Sequence, residues 1–496
     1  MKRLIFFLLV VSSGISLADL GYENRDVAPR AIAEWIDACE HEMDIIHGFV
    51  LMRHGRIVAE GSWRPFDTLN EPHMLFSHSK SFTSTAIGML ADEGKVDLDE
   101  RVAEIFADKI PETPSENLRQ LRVRDLLTMN VGAKRTDAEN DDVDGDWERA
   151  FLANTFDGAP GLEFRYDSGA TYMLASIVER RSGKRLMEFL RERMFDKIGI
   201  NKAWSTTSPS GTACGGWGMN MTTREMALFG QLLLQGGGWN GEQIVSSQWL
   251  ALAMAMQTKS GPIVIAGQDG SDWHRGYGFQ FWRCKNGFYR ADGANGQFTI
   301  VMPQYDAVLS ISAGEIHDTQ KELDLVWEYL VPGFKDGLDE SEKKDLESVR
   351  RRCADLTVPP VEGRRDGAVE CIGREFTLRD NIRGIRSVRL DEDDDGWICT
   401  IDTRAGKSVL PVGFGIWKEG ALTIDASKHE PLGSIIGRQA TAGSAAVGEN
   451  GMMQLRILLK NGPQRIDVAF SDESGTCRMS GELKGIGGCK LVAVEK

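Results

Sequence analysis

The sequence is short of positive charge. Its 496 residues hold 58 Lys and Arg against 73 Asp and Glu, a formal net charge of −15. Such a chain lacks the broad basic footprint that neutralises phosphates, which argues against a nucleic-acid partner and against docking on an anionic membrane. Also missing are a GxSxG elbow, an HExxH pair and a glycine-rich phosphate loop, so three common catalytic centres have no sequence support. His41 and His47 are six apart, which does not set two zinc ligands on one helix face. None of the eight cysteines belongs to a CxxC or a Cys/His cluster of zinc spacing, and neither a metal nor an organic cofactor is implied. There is no internal repeat and no low-complexity tract. What is present is an ordinary globular balance, 42% hydrophobic and 26% charged, which excludes a disordered or collagen-like chain.

Lys2 and Arg3 precede the apolar run at residues 4–11, and Ser16-Leu17-Ala18 then offers small residues. That is the order of a secretory signal peptide, with an apolar core too short for a permanent anchor. The expectation is a leader over residues 1–18, a periplasmic or secreted protein, and no stable membrane anchor once the leader is removed. The mature chain loses two positive charges and falls to −17. Export permits disulfides. Five of the cysteines (Cys353, Cys371, Cys399, Cys477, Cys489) follow residue 350, while Cys39, Cys214 and Cys284 precede it. Structural bridges and buried thiols are both open, and pairing is not readable from spacing.

Three textures follow the leader. Residues 19–335 mix helical and strand patterns, and residues 336–357 form a charged helix and linker. Residues 358–496 are short alternating segments punctuated by Gly, Asn and Asp, the pattern of an antiparallel β-domain. Within the first region the pattern predicts a helix at 31–41, a hairpin at 48–61, and strands at 288–291, 298–302 and 307–313. Strands at both ends with helices between them imply one antiparallel sheet with a helical region beside it.

The chemistry-bearing motif is Ser77-His78-Ser79-Lys80. A three-residue step on a helix brings two side chains to one face, so an amine sits beside a hydroxyl. A desolvated lysine with a lowered pKa can take the serine proton. The spacing recurs at Ser341-Glu342-Lys343-Lys344, but in a charged run with no reason to be buried. Ser77 instead follows Met74-Leu75-Phe76 and opens a segment in which Phe82, Ala86, Met89 and Leu90 recur at helical spacing until Gly94. A helix N-terminus there supplies amides and a positive dipole end for an oxyanion. A plain N-cap serine with a solvated lysine is the alternative that the motif leaves open. His78 points away from Ser77 and is expected to pack rather than act as a base.

Further blocks accompany the motif. They are Val123 to Met129, Pro160 to Gly169 running into a helix closed by Gly183, Thr222 to Gly241, Tyr277 to Trp282, and Gly293 to Pro303. With these blocks the chain resembles the serine β-lactamase and penicillin-binding superfamily over residues 30–335. The closer likeness is to its class C β-lactamase-like branch of esterases, D-aminopeptidases and 6-aminohexanoate-dimer hydrolases. The resemblance implies an α+β fold: a β-lactamase-like antiparallel sheet with flanking helices and a helical subdomain, followed here by the C-terminal antiparallel β-domain. It implies Ser77 as the acylated nucleophile, Lys80 as proton acceptor, and Tyr166 as partner in the base role and proton donor to the leaving group. A tyrosine beside an ammonium is expected to have its phenolate favoured. The backbone amides of Ser77 and Gln297 are the implied oxyanion pair, and Ser168, Asn295 and Gly296 the implied substrate contacts.

Two departures bear on the substrate. Ser168 stands where the family's Tyr-x-Asn has asparagine, and Ala294-Asn295-Gly296 stands where β-lactamases carry Lys-Thr-Gly, removing the cation that meets a β-lactam carboxylate. Lys259-Ser260-Gly261 and Tyr22-Glu23-Asn24 match the missing patterns in the wrong places. An esterase or amidase acting on a small-molecule ester or amide is the expectation. A D,D-peptidase or D-aminopeptidase, a true β-lactamase and a non-catalytic penicillin-binding-like sensor are the alternatives. Acids between Asp137 and Glu148 form a loop that is either a solvated surface or a field attracting an amino group. Trp217, Trp273 and Trp282 are candidate pocket walls. Asp391 to Gly396 imitates a calcium loop, but its flanks alternate like strands, so an acidic hairpin turn is expected.

Overall fold

The computed structural model describes residues 26–133, 145–260, 270–365, 370–424, 437–473, 476–485 and 488–494. The expected leader, residues 137–144 of the acidic loop, and Gly261 lie outside them.

In chain order, α1 (Pro29–Glu42) carries Ile32, Trp35, Ile36 and Cys39 on one buried face, the spacing of a helix laid on a core. A hairpin follows, β1 (Ile46–Arg53) and β2 (Arg56–Ser62), with every residue of β1 buried. The two-residue β3 (His73–Met74) leads through a short 3-10 turn at Phe76–His78 into α2 (Ser79–Asp92). Residues 79–90 of α2 are all buried, which marks it as a central helix rather than a surface one. Helix α3 (Ser168–Ser182) starts on Asp167, whose carboxylate accepts from the Gly169 and Ala170 amides, and stops at Gly183 with φ of 72°. Then come β4 (Met219–Met221) and α4 (Thr223–Leu234), the latter opened by a Thr222/Glu225 capping box. Four strands complete the sheet: β5 (Trp282–Arg283), β6 (Tyr289–Gly293), β7 (Gln297–Met302) and β8 (Ala307–Ala313). Helices α5 (Thr319–Leu325) and α6 (Glu340–Ala354) follow.

The sheet order is β2-β1-β8-β7-β6-β5, antiparallel throughout. First and last strands therefore meet in the middle, with Phe49 opposite Ile311. One face receives α1, where Trp35 meets Phe49 edge-on at 4.9 Å between ring centroids. Helix α4 covers the other face, where Gly230 lets it approach Val308 and Thr299. Phe229 of α4 stacks on Phe82 of α2 at 4.0 Å, which locks the central helix to the sheet.

Beyond α6, ten strands form one sheet: β9 (Glu375–Thr377), β10 (Ile385–Asp393), β11 (Gly396–Thr403), β12 (Gly406–Gly413), β13 (Lys418–Ile424), β14 (Gly437–Val447), β15 (Met453–Leu459), β16 (Arg465–Glu473), β17 (Thr476–Lys484) and β18 (Cys489–Val492). The path runs β9 through β12, then β14 through β18, with β13 paired to β14. Arg379 N donates to Val492 O at 2.9 Å and Val494 N to Thr377 O at 2.8 Å, so the two ends join and the sheet closes into a barrel. Its interior is a separate apolar cluster that includes Val388, Leu390, Cys399, Val412, Leu455 and Phe470. The acidic stretch is a hairpin turn, with Asp393 paired to Gly396 between β10 and β11. Six of the eight cysteines are buried and two half-buried. Among the described residues no helix is long and apolar enough to cross a membrane, and no His/Cys/Asp/Glu group has the arrangement to hold a metal ion.

Candidate active site

Ser77 lies in the turn between β3 and α2, half-buried, while Lys80 one helical step later is 1% exposed. Lys80 Nζ is 3.0 Å from Ser77 Oγ, 3.1 Å from Ser168 Oγ and 2.6 Å from the Gly216 carbonyl oxygen. The amine thus joins three separate elements: the Ser77 turn, the start of α3, and the segment entering β4. Ser168, predicted as a substrate contact, spends its hydroxyl on Lys80. Gly216 has no motif to announce it, because its contribution is a backbone carbonyl.

The turn itself is held under strain. Phe76 has φ of 48°, a left-handed conformation that a bulky aromatic rarely adopts. Ser79 Oγ donates to the Phe76 carbonyl at 2.6 Å and accepts from Met219 N at 3.2 Å, and Leu75 N donates to Met219 O at 2.9 Å. These bonds tie the turn to β4 and fix where Ser77 stands.

Tyr166 completes the group. Its ring lies 4.9 Å from Lys80 Nζ, measured to the ring centroid, and its hydroxyl is near Ser77. The predicted phenolate is not favoured. Burial drives the Tyr166 pKa up, the nearby Ser77 hydroxyl only partly opposes this, and the Asp292 carboxylate adds to the rise. Tyr166 is therefore held as a phenol. Its ring stacks on Trp282 at 5.7 Å, which makes Trp282 the one of the three candidate tryptophans beside the reactive group. Trp217 stacks on Trp147, and Trp273 lies under the Arg290 guanidinium at 4.6 Å.

The sheet edge differs from the expected arrangement. The ladder residue against the Ser77 turn is Gly293, where a Cβ would fall 2.1 Å from the Leu75 carbonyl oxygen and 3.2 Å from the His78 amide nitrogen. Only glycine permits that approach. Asn295 and Gly296 face elsewhere: the Asn295 amide donates to the Glu315 carbonyl at 2.9 Å, and Gly296 packs against the Glu322 carboxyl. Gln297 pairs with Gly293 at the head of the β6–β7 ladder, and its side-chain amide donates to the Ala313 carbonyl at 2.6 Å. The two residues assigned to substrate thus serve the turn, because the tight β6–β7 connection places them past the strand end.

Asp292, next to Gly293, is a residue that motif reasoning missed. Arg290 Nε donates to Asp292 Oδ2 at 2.8 Å, and Arg290 is wholly buried. Burial raises the Asp292 pKa, while Arg290 and then Lys80 pull it back. Glu322, buried behind the same turn, is pushed well above the usual carboxylate range by burial and by Glu315 and Asp292. His78 packs as predicted, with Nε2 2.9 Å from Thr299 Oγ1, and burial lowers its pKa to about 3. In the acidic loop, Asp146 pairs with Lys109, and Glu148 with Arg180 at 2.7 Å, so these two acids are spent on the protein's own cations.

Comparison with known proteins gives this arrangement a family. A family model described as Beta-lactamase matches residues 37–328. The chain is 27% identical over 283 residues to a 6-aminohexanoate-dimer hydrolase of Paenarthrobacter ureafaciens, covering 53% of this chain and 70% of that one. It is 30% identical over 166 residues to a D-aminopeptidase of Brucella anthropi, covering 32% of this chain and 30% of that one. The fold is shared with a penicillin-binding protein homologue from Caulobacter crescentus, at a TM-score of 0.50 and 16% identity over 61% of this chain and 99% of that one. With more than half of its length matched, the chain belongs to the Beta-lactamase family and is a serine hydrolase of that superfamily.

Proposed function

We propose that the protein hydrolyses a small ester or amide through an acyl-enzyme on Ser77. The observation that carries this reading is the threefold contact of Lys80 Nζ. A neutral amine has two N–H bonds and one lone pair. Gly216 O and Ser168 Oγ take the two hydrogens, and the lone pair is left for the Ser77 hydroxyl at 3.0 Å. Ser77 Oγ attacks the substrate carbonyl as its proton passes to Lys80. The tetrahedral oxyanion is received by the Ser77 amide and by a second backbone amide. We place that second donor at the start of the turn after Gly293 rather than at Gln297, since Gly293 is the strand residue against the Ser77 turn. Tyr166, held as a phenol, gives its proton to the departing amine or alcohol and regains one from Lys80. Water then attacks the acyl-enzyme by the reverse path, releasing the acid and free Ser77.

The preference for substrates without a carboxylate at this edge rests on Asp292 and Arg290. The cation nearest the turn on β6 is committed to Asp292 and buried, and a carboxylate beside Lys80 and Tyr166 disfavours a second one. Labelling with a fluorophosphonate, together with turnover of short p-nitrophenyl esters, linear amides, D-amino amides and penicillins, tests the reading. The expected result is a Ser77-dependent adduct and ester or amide turnover that Ser77→Ala lowers by at least about 10³-fold. An adduct that survives Ser77→Ala defeats it.

A further inference from the structure

We propose that the tip of the β15–β16 hairpin, residues 460–464, is a positioning element for Ser77, which makes the barrel a working part of the hydrolytic site. The proposal rests on Ser77 being the nucleophile. Hairpin tips ordinarily project into water. Here Gly462, Pro463 and Gln464 are buried and Asn461 is half-buried, because the tip is inserted against β3. Met74 N donates to the Asn461 carbonyl at 2.9 Å, and Asn461 Nδ2 donates to the Pro72 carbonyl at 3.3 Å. The flanks of the hairpin are anchored too. Arg465 bridges Asp44 and Asp467 at 3.0 Å each with 5% of its surface exposed, and Leu458 belongs to the apolar core of the catalytic region. His73 of β3 also meets the tip: its ring lies beside the Gly462 backbone, its Nε2 is 2.9 Å from His47 Nδ1, and His47 stacks on Phe66 at 3.7 Å. β3 is therefore held to the tip through its backbone and through the packed imidazole pair.

Met74 is three residues before Ser77, and the strained Phe76 lies between them. A bulky residue stays at positive φ only where its surroundings over-determine it. β4 and Ser79 supply the constraints from within the catalytic region, and the Asn461 carbonyl and the Gly462 backbone reach the strand from the barrel. Loosening it lets Phe76 relax toward negative φ and carries Ser77 Oγ away from Lys80 Nζ. Misplacing a reacting atom by about 1 Å costs on the order of 10²-fold in rate.

The test uses the full chain with Gly462→Val, which crowds the tip because its Cβ would fall 2.5 Å from Gln464 Oε1, and with Asn461→Ala, which removes the contact to Pro72. Val409→Ser, on the exposed outer face of β12, is the control. For each, kcat and KM on a p-nitrophenyl ester, the thermal midpoint, and deuterium uptake of residues 72–78 are measured. We expect Gly462→Val to lower kcat by 10- to 100-fold with KM within twofold, and to speed exchange at 72–78 at least tenfold while barrel strands stay protected. Asn461→Ala, the milder change, lowers kcat at least threefold and serves alone where Gly462→Val does not fold. Unchanged kcat in folded Gly462→Val, unchanged kcat alongside faster exchange at 72–78 in Asn461→Ala, or an equal loss in Val409→Ser, overturns the proposal. A Ser77-independent adduct in the unaltered chain sinks the nucleophile assignment instead, and the exchange result at 72–78 still reports whether the tip holds the turn.

Discussion

The interior of the catalytic region holds Lys80, Arg290, Asp272, Glu322, His47, His73 and His78 among its apolar side chains, whereas the barrel's apolar cluster is Leu, Val, Ile, Met, Phe, Trp, Ala and Cys, and the buried charges among its described residues are Arg383 and Arg465. Burying a charge or an imidazole is costly unless something repays it, so a core that carries so many such groups is organised around something other than stability. The apolar cluster of the barrel carries shape and stability, while its hairpin tip is turned to β3. Each region ought then to fail in its own way, activity first in one and folding first in the other.

The largest expected break is in the catalytic region. Lys80→Ala removes the group between Ser77, Ser168 and Gly216, and kcat for an ester is expected to fall by about 10²–10⁴-fold, the usual worth of a positioned acid or base. Barrel strands are expected to keep their hydrogen-exchange protection. Stopped-flow kinetics with exchange on the same sample checks both halves, and a barrel that loosens in this variant would erase the contrast.

The converse is a cavity in the barrel. Leu390 is fully buried in β10, away from the hairpin tip, and Leu390→Ala is expected to cost about 2–5 kcal/mol of stability. Denaturant melts measure that loss. Active-site titration is expected to show unchanged kcat per labelled Ser77.

The smallest effect is a pH dependence confined to one side. Unfolded, each imidazole ionises near 6.5. Folded, burial holds His73 neutral down to about 4 and His78 down to about 3, and lowers His47 well below its usual value. Below 6.5 the unfolded chain binds the extra protons, so this stabilisation is present above 6.5 and is lost progressively as pH falls toward the folded values. Between pH 7 and 6 the three together are expected to remove about 1–2 kcal/mol from the catalytic region. Calorimetry at the two pH values checks this, and an equal shift in the barrel transition would count against it.

The same contrast governs how much was legible beforehand. Ser77 and Lys80 lie one helical step apart, and local spacing sets them on one face, as the 3.0 Å contact shows. Strands at 46–62 and 289–313 were readable because alternation and turns are local, as was the charged helix α6. The Tyr166 phenol was misjudged, because its protonation is decided by burial and by Asp292, which no spacing relates to it. Asn295 and Gly296 were assigned to substrate from the Ala294-Asn295-Gly296 match, which begins one residue past the end of β6, and only the approach of Gly293 to Leu75 shows which strand residue stands against the Ser77 turn. Gly216 and Asn461 act through carbonyl oxygens, which every residue carries, so sequence gives no mark of them.

The joining of β9 to β18 has a consequence for how this chain meets others. A sheet with free margins offers unpaired amides and carbonyls on which a foreign strand can add, and β2 and β5 form two such margins in the catalytic sheet. In the barrel the first and last strands are tied together by Arg379 and Val494, so those two margins are closed, and among the described strands β13, paired to β14 alone, is the one that keeps a free edge. Association through the joined ends must therefore run through side chains on the outer wall, where Val409 stands 62% exposed.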